Sequence, residues 1–432
     1  MMPAPAQQHQ EGRGDPLGWT VAIALAFFAL CWHRLGIPSQ IYFDEVHYVP
    51  AARKLLELVR ANPEHPMLGK EAIAAAIALF GDRPLVWRAP SALLGALGLF
   101  AFGRALWWTS GRRFAALAGT VLLATNFLWF IQSRIAMLDM VMAAFGMAAL
   151  WQFSAATKLP TPQARWRLAA TGLCLGLALG AKWSIAPVAA LPGLAFLVLR
   201  LKAHGWRCFA RHDSGPVRGI SLMEAAFWLG TLPLAVYWLT YLPAFFYAKD
   251  AVSPLSPLAW HRYMLQLQDS VVRLHPYRSV WYQWIVNYRA VWYLYEPVDG
   301  FQRGIVLIGN PFSMLAGLPA VLWCLWAGIR HKRGDALVCA LLYPATLAMW
   351  AVSGKPIQFY YHYLLPSVFL MACLALALDG LWQRGGHWRW APLGAIAVAV
   401  GVFGYFYPII SAAELHGGKQ SYVQWMWLRS WR

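Results

Sequence analysis

Charge is what this chain has least of. Only 12% of its 432 residues are Asp, Glu, Lys or Arg, against ~25% in a soluble globular domain. With 59% hydrophobic residues and 25 tryptophans, the composition excludes a soluble globule and points to an integral membrane protein. Acids are scarcer still, 18 against 36 Lys and Arg, for a formal net charge of +18. Such a surplus would suit nucleic acid, but the placement of the charges, described below, assigns it to membrane topology instead. The six cysteines (Cys31, Cys174, Cys208, Cys324, Cys339, Cys373) lie mostly inside apolar runs and show no disulfide or metal-ligand spacing. They read as small core residues. No internal repeat is visible. No small-residue cleavage site follows the first apolar run, Trp19 to Trp32, so that run is expected to remain as a span.

What is present is a series of apolar runs near the ~20 residues that cross a hydrocarbon core. Eleven spans are expected, near residues 18–36, 86–108, 114–131, 135–155, 166–181, 184–201, 222–247, 304–329, 336–353, 357–381 and 389–411. Residues 1–17 read as a disordered cytoplasmic N-terminus, residues 18–412 as the membrane domain and residues 413–432 as an outer tail. One set of loops carries Arg112-Arg113, Lys158 to Arg167, Arg200 to Arg218 (with Arg211), Arg330 to Arg333 and Arg384, with almost no acids beyond Asp213 and Asp335. The opposite set holds two long mixed-charge loops, 37–85 and 248–303. The positive-inside rule makes the basic set cytoplasmic and puts the two long loops outside, on the periplasmic side of an inner membrane. No nucleic acid is needed to explain the excess charge.

The loop from Ile41 to Lys70 is the chemical centre of this layout. Asp44 and Glu45 follow apolar Ile41-Tyr42-Phe43, and residues 46–60 read as an amphipathic helix ended by Asn62-Pro63. Two readings of the acid pair compete: a helix-start charge with an N-cap, or a reaction centre. Arg134, Lys182 and Lys355 fall in short turns on the outer side, where positive charge is disfavoured. Each alone could snorkel to lipid phosphates; the three together suggest a grip on an anionic headgroup, most simply a phosphate. Asp139 could pair with one of these cations. The run Trp281 to Tyr293 suits interfacial anchoring, with Tyr282, Gln283 and Asn287 as candidates to meet a sugar. His362 reads either as an aromatic-belt residue or as part of the pocket. Asp44, Glu45, His47 and His65 are metal-ligand types without ligand spacing, so no metal and no other cofactor is expected.

Several pieces, in order, resemble the protein O-mannosyltransferases, membrane glycosyltransferases of the GT-C class. They are Phe43-Asp44-Glu45-Val46-His47-Tyr48, His65-Pro66-Met67-Leu68-Gly69-Lys70, and Ser133-Arg134-Ile135-Ala136-Met137-Leu138-Asp139. Gly176 to Trp183, Gly309-Asn310-Pro311 and Tyr361-His362-Tyr363-Leu364-Leu365-Pro366 complete the set. The β-trefoil domains that eukaryotic members carry in a loop are missing, which is similar to the bacterial form. Met67 replaces the second proline of a His-Pro-Pro motif. The resemblance implies an all-α bundle of about 11 transmembrane helices with amphipathic helices in both long loops. It implies inverting transfer of mannose from a polyprenyl-phosphate carrier to Ser/Thr hydroxyls of translocated proteins. Asp44 would be the base, with Glu45 orienting it or the acceptor; Arg134, Lys182 and Lys355 would bind the donor phosphate. His65, Lys70, Asp139, Tyr282, Gln283, Asn287 and His362 would line the pocket. Partners would be the lipid donor, the acceptor polypeptide, membrane lipids and the secretion machinery. Transfer of another sugar, such as aminoarabinose, to a lipid or glycan, and a lipid-linked sugar flippase, are the alternatives. Against the flippase, the ionisable residues gather at one face rather than at the bilayer midplane.

Overall fold

The computed structural model describes residues 14–209, 213–270, 275–355 and 357–432. The rest of the expected disordered N-terminus, residues 1–13, and Arg211 lie outside the described residues. Helices α1 (Leu17–Trp32), α2 (Glu45–Leu56), α3 (Leu68–Phe80) and α4 (Pro84–Ser110) come first, followed by α5 (Arg113–Ala124), α6 (Phe127–Gln132), α7 (Leu138–Ala156) and α8 (Thr161–Ala181). Then come α9 (Ala186–His204), α10 (Leu222–Ala226) and α11 (Leu232–Leu239), the last two joined through a π-turn. The second long loop holds α12 (Pro257–Asp269), α13 (Trp281–Ile285), β1 (Val291–Val298) and β2 (Phe301–Leu307). The chain closes with α14 (Pro311–Arg330), α15 (Gly334–Val352), α16 (Leu364–Trp382) and α17 (Trp390–Ile410).

Among the described residues, eight helical stretches are long and apolar enough to cross a membrane. They answer to eight of the eleven expected spans. Helices α1 and α5 are apolar but shorter. Helix α8, at 21 residues, is long enough but carries Arg165 and Arg167 near its start. The run expected as one span over 114–131 breaks at Asn126. Its side-chain oxygen accepts the Leu128 and Trp129 amides at 2.9 and 3.4 Å, so it caps a new helix instead of continuing the old one. Helix α16 is the centre of the bundle, touching α5, α14, α15 and α17, and is buried on nearly every face. A helix apolar all round belongs there. Helices α4, α7 and α8 lie side by side, with α11 against α8. Gly176 allows that last contact: a Cβ there would fall 2.6 Å from the Pro233 carbonyl oxygen.

The loop 248–303, expected on the outer side, is not only helical. Val298 pairs with Phe301 around a two-residue turn, Asp299-Gly300, both at positive φ (50° and 79°). That is the primed turn an Asp-Gly pair favours, because its twist matches the flanking strands. β2 takes residues 304–307, so the eighth span starts at Pro311 rather than at 304. Pro311 at the first helical turn and the Asn310 side chain, accepting the Ser313 amide at 3.3 Å, give the Gly309-Asn310-Pro311 motif a helix-starting role.

Candidate active site

Asp44 stands where loop turns into α2. Phe43, just before it, is held at φ 48°, a conformation a bulky residue adopts only under constraint. The constraint is visible: its ring stacks on Tyr293 at 3.8 Å and meets the edge of Tyr361 at 6.0 Å. Asp44 occupies the N-cap position, yet its carboxylate makes no capping bond to α2. It accepts no hydrogen bond among the described residues. No capping bond supports the helix-start reading, and the carboxylate is unengaged among the described residues. Burial pushes its pKa up to about 6, held from going higher by the charges of Lys182, His47 and Lys355. It would be an ionised base at neutral pH, and a stronger one than a solvated carboxylate.

Glu45, expected beside it in the chemistry, is placed otherwise. It is fully buried, and Arg88 of α4 grips both oxygens at 2.7 and 2.9 Å. The Ala136 and Tyr42 amides donate to the same carboxylate at 3.0 and 3.3 Å. Arg88 also donates to the carbonyls of Leu35, Pro38 and Gln40. The pair ties the α1–α2 loop, α4 and the 134–137 turn to one point, and Glu45 has no lone pair facing a substrate. Its four hydrogen bonds all come from the protein, so it is placed to tie these segments together.

Lys182 and Lys355 converge on a cavity of about 320 Å³, whose wall also includes His65, Trp183, Trp350 and Gln268 of α12. Lys182, at the end of α8, donates to both oxygens of Asp139 at 2.8 Å each and lies 5.1 Å from the centre of the Tyr361 ring. Asp139 thus aims a lysine, Lys182, rather than Arg134. Burial and the neighbouring Lys182 push Lys355 down to about 8. The same burial, reinforced by both lysines, pushes His65 well below its usual value, so its imidazole is neutral. The cavity then offers two ammonium groups and a neutral ring that can give or take one hydrogen bond. A second open hollow of about 280 Å³ lies along α2, walled by His47, Lys54, Asn62 and Glu64.

Other expected residues are elsewhere. Arg134 points to the end of α1, donating to the carbonyls of Leu30, Cys31, His33 and Arg34 and to that of Ser411. Its guanidinium satisfies helix-terminal carbonyls and does not face the cavity. Lys70 donates to the Asn62 and His65 carbonyls at 2.6 and 2.9 Å and so fixes the loop that carries His65. Gly69 beside it permits the tight approach of α3 to α7: a Cβ would sit 3.2 Å from the Leu138 Cα. Asn287 is buried, exchanging two hydrogen bonds with the Gly309 backbone and accepting the Tyr360 hydroxyl at 2.7 Å. Gln283 caps α13 through the Val280 amide, and Tyr282 is exposed. None of these three lines the cavity. His362 stands one ring behind it, stacked at 3.9 Å on Trp350, with Nδ1 accepting the Phe359 amide.

Two family models match this chain in tandem. The model described as dolichyl-phosphate-mannose-protein mannosyltransferase covers residues 83–248, and that of the C-terminal four-helix membrane region of protein O-mannosyltransferase covers residues 257–431. The chain belongs to the protein O-mannosyltransferase family. It is similar to the polyprenol-phosphate-mannose–protein mannosyltransferase of Mycolicibacterium smegmatis, with 26% identity over 96% of this chain and 93% of that protein. The namesake from Corynebacterium glutamicum is 27% identical over 97% of this chain and 94% of the relative. Among solved structures, the Saccharomyces cerevisiae Pmt1-Pmt2 complex bound to the sugar donor shares the fold. Its TM-score is 0.81 at 14% identity, over 98% of this chain and 93% of that one. The ArnT structure from Cupriavidus metallidurans bound to undecaprenyl phosphate follows at TM-score 0.62 and 16% identity, over 92% and 77%. The fold is that of the GT-C glycosyltransferases.

In this mannosyltransferase three supporting residues escape a sequence reading: Arg88, Tyr361 and Tyr293. Arg88 leaves a signal, one of two cations with Arg104 within an otherwise apolar span, where an unpaired charge would be costly. The two tyrosines lie in stretches the sequence marks, but only the folded chain sets Tyr293 against Phe43 and Tyr361 against Lys182.

Proposed function

We propose that this enzyme transfers mannose from a polyprenyl phosphate to a Ser or Thr hydroxyl of a polypeptide, with Asp44 as the general base. The observation that carries the proposal is the unengaged Asp44 carboxylate within electrostatic reach of Lys182 and Lys355. An alkyl hydroxyl is a poor nucleophile, and Asp44 takes its proton as the oxygen attacks the anomeric carbon. The bond from that carbon to the phosphate oxygen breaks as the new bond forms, inverting the centre. The departing polyprenyl phosphate gains negative charge, which Lys182 and Lys355 meet. His65 contributes a hydrogen bond without adding charge. The phosphate is assigned to Lys182 and Lys355, which wall the cavity together. The hollow along α2 brings the acceptor to Asp44. The charge distribution favours a site on the outer face of the cell membrane, where an emerging polypeptide is met.

The test is transfer of labelled mannose from polyprenyl-phosphate-mannose by the purified protein in nanodiscs, with Ser/Thr peptides and extracted lipids as acceptors. Label passes to peptide with the wild type, and Asp44→Asn lowers the rate at least ~10²-fold, the span of general-base contributions. Equal transfer by Asp44→Asn overturns the base assignment, and label appearing only in lipid overturns the acceptor.

A further inference from the structure

One cavity plays no part in the proposed reaction. It has a volume of about 580 Å³ and lies between the far ends of α4 and α7, the later turns of α9 and the start of α15. The Asp44 end of the bundle is opposite, because α7 begins and α15 ends there. Its size is within the roughly 300–1,000 Å³ of small-ligand pockets. The inner wall is apolar, built from side chains such as Phe102, Leu106, Leu150, Leu191 and Phe369. The rim is cationic: Arg112, Lys158, Lys332 and Arg333 line it with a single acid, Asp335. Arg333 pairs with Asp335 at 2.6 Å and Arg112 with buried Asp379 at 2.9 Å. Lys158 and Lys332 make no ion pair among the described residues and are exposed at the mouth. The first turn of α15 opens on the same rim through Gly334 and Asp335.

We propose that this cavity holds one anionic phospholipid of the surrounding leaflet, its phosphodiester between Lys158 and Lys332 and a hydrocarbon chain along the apolar wall. An apolar slot that opens at the ends of membrane helices is filled from the bilayer, and a rim with two unpaired ammonium groups selects for negative headgroups. Basic pockets between spans on the positive face of membrane proteins bind such headgroups by the same physics. The chain would join α9 to α7 and α15 across a gap that no protein side chain fills. The site needs neither Asp44 nor the donor.

The experiment is native mass spectrometry and thermal unfolding of the purified full-length protein, relipidated with phosphatidylglycerol or phosphatidylcholine. One phosphatidylglycerol per chain is retained and raises the unfolding midpoint, whereas phosphatidylcholine does neither. Lys158→Ala with Lys332→Ala, both on exposed side chains, weakens retention roughly 30-fold at low salt and leaves peptide mannosylation intact. Equal retention of both lipids, or unchanged retention by the double variant, overturns the site. Retention of a polyprenyl phosphate in preference to phosphatidylglycerol overturns the choice of occupant. Inorganic phosphate that displaces the lipid from the wild type would also overturn it, by removing the role of the apolar wall.

Discussion

Replacing Asp44 by Asn should cost activity and raise stability, a combination that distinguishes a base from a structural acid. Burial lifts the Asp44 carboxyl from 3.8 to about 6. The folded state therefore holds that proton more tightly than the unfolded one. The resulting stabilisation is full below about 3.8 and is lost as pH rises through about 6, so above that the fold carries an unfavourable charge. Two pH units at ~1.4 kcal/mol each bound the effect at about 3 kcal/mol. The side chain is half-buried, so solvent reduces this to ~1–2 kcal/mol. Asparagine has the same shape and no charge. In detergent at pH 7.5 the unfolding midpoint of Asp44→Asn should exceed that of the wild type by about 1–4 °C. The gap should close as the pH falls toward 4, where both side chains are neutral. A variant less stable at pH 7.5, or a gap unaffected by acid, would mean that the carboxylate is engaged in holding the fold, and the mechanism would fail with it.

Transfer should follow a bell in pH. The acid limb reports protonation of Asp44 near 6, and the alkaline limb reports loss of the Lys355 charge near 8; a rate unchanged between pH 5 and 7 would contradict the first assignment. Glu45→Gln leaves the Arg88 charge buried against a neutral partner, a loss of about 3–5 kcal/mol, so it should unfold at lower temperature in the same scan that shows Asp44→Asn rising. Arg134→Gln frees several helix-terminal carbonyls and should lower stability by about 2–3 kcal/mol while the donor KM stays within about 2-fold of wild type. Lys182→Met should act in the opposite sense on kinetics, reducing kcat for transfer by at least ~10²; a drop confined to stability would remove Lys182 from the phosphate.

The sequence made the membrane bundle, the order of its spans and the loop holding Asp44 legible, because a lipid environment demands long apolar runs and pushes charges into loops. Asp299-Gly300 was an equally plain hairpin signal, yet the aromatic residues around it resemble an interfacial helix just as well. The resemblance named Asp44 as the base and Glu45 as its support, but the residues themselves gave no physical reason for the difference. Asp44 and Glu45 are adjacent in sequence and nearly identical in chemistry, but Asp44 at the N-cap and Glu45 at the first residue of α2 have different surroundings. Only the position of Arg88, 43 residues further on, decides which one is neutralised. Asn287 was a candidate for a related reason: a polar residue in an aromatic run looks ready for a sugar hydroxyl, whereas here its side chain engages the buried Gly309 backbone.

The cations make the same point in terms of supply and demand for charge. A bundle in lipid has many helix ends and few water molecules to satisfy them, so a buried arginine is drawn first to orphan carbonyls. Arg134 and Arg88 both follow that rule, each donating to several carbonyls at the C-terminal side of α1. A planar guanidinium with five donors suits that task better than an ammonium does. Lys182 is different in kind: its one partner is a carboxylate, Asp139, which holds it in place without withdrawing its whole charge from the cavity, and Tyr361 presents a ring face rather than a hydrogen-bond acceptor. Lys355 has no ion pair among the described residues at all. A phosphate entering the cavity would meet Lys182 and Lys355, two cations that no helix end among the described residues requires, while the arginines hold the loop that carries Asp44.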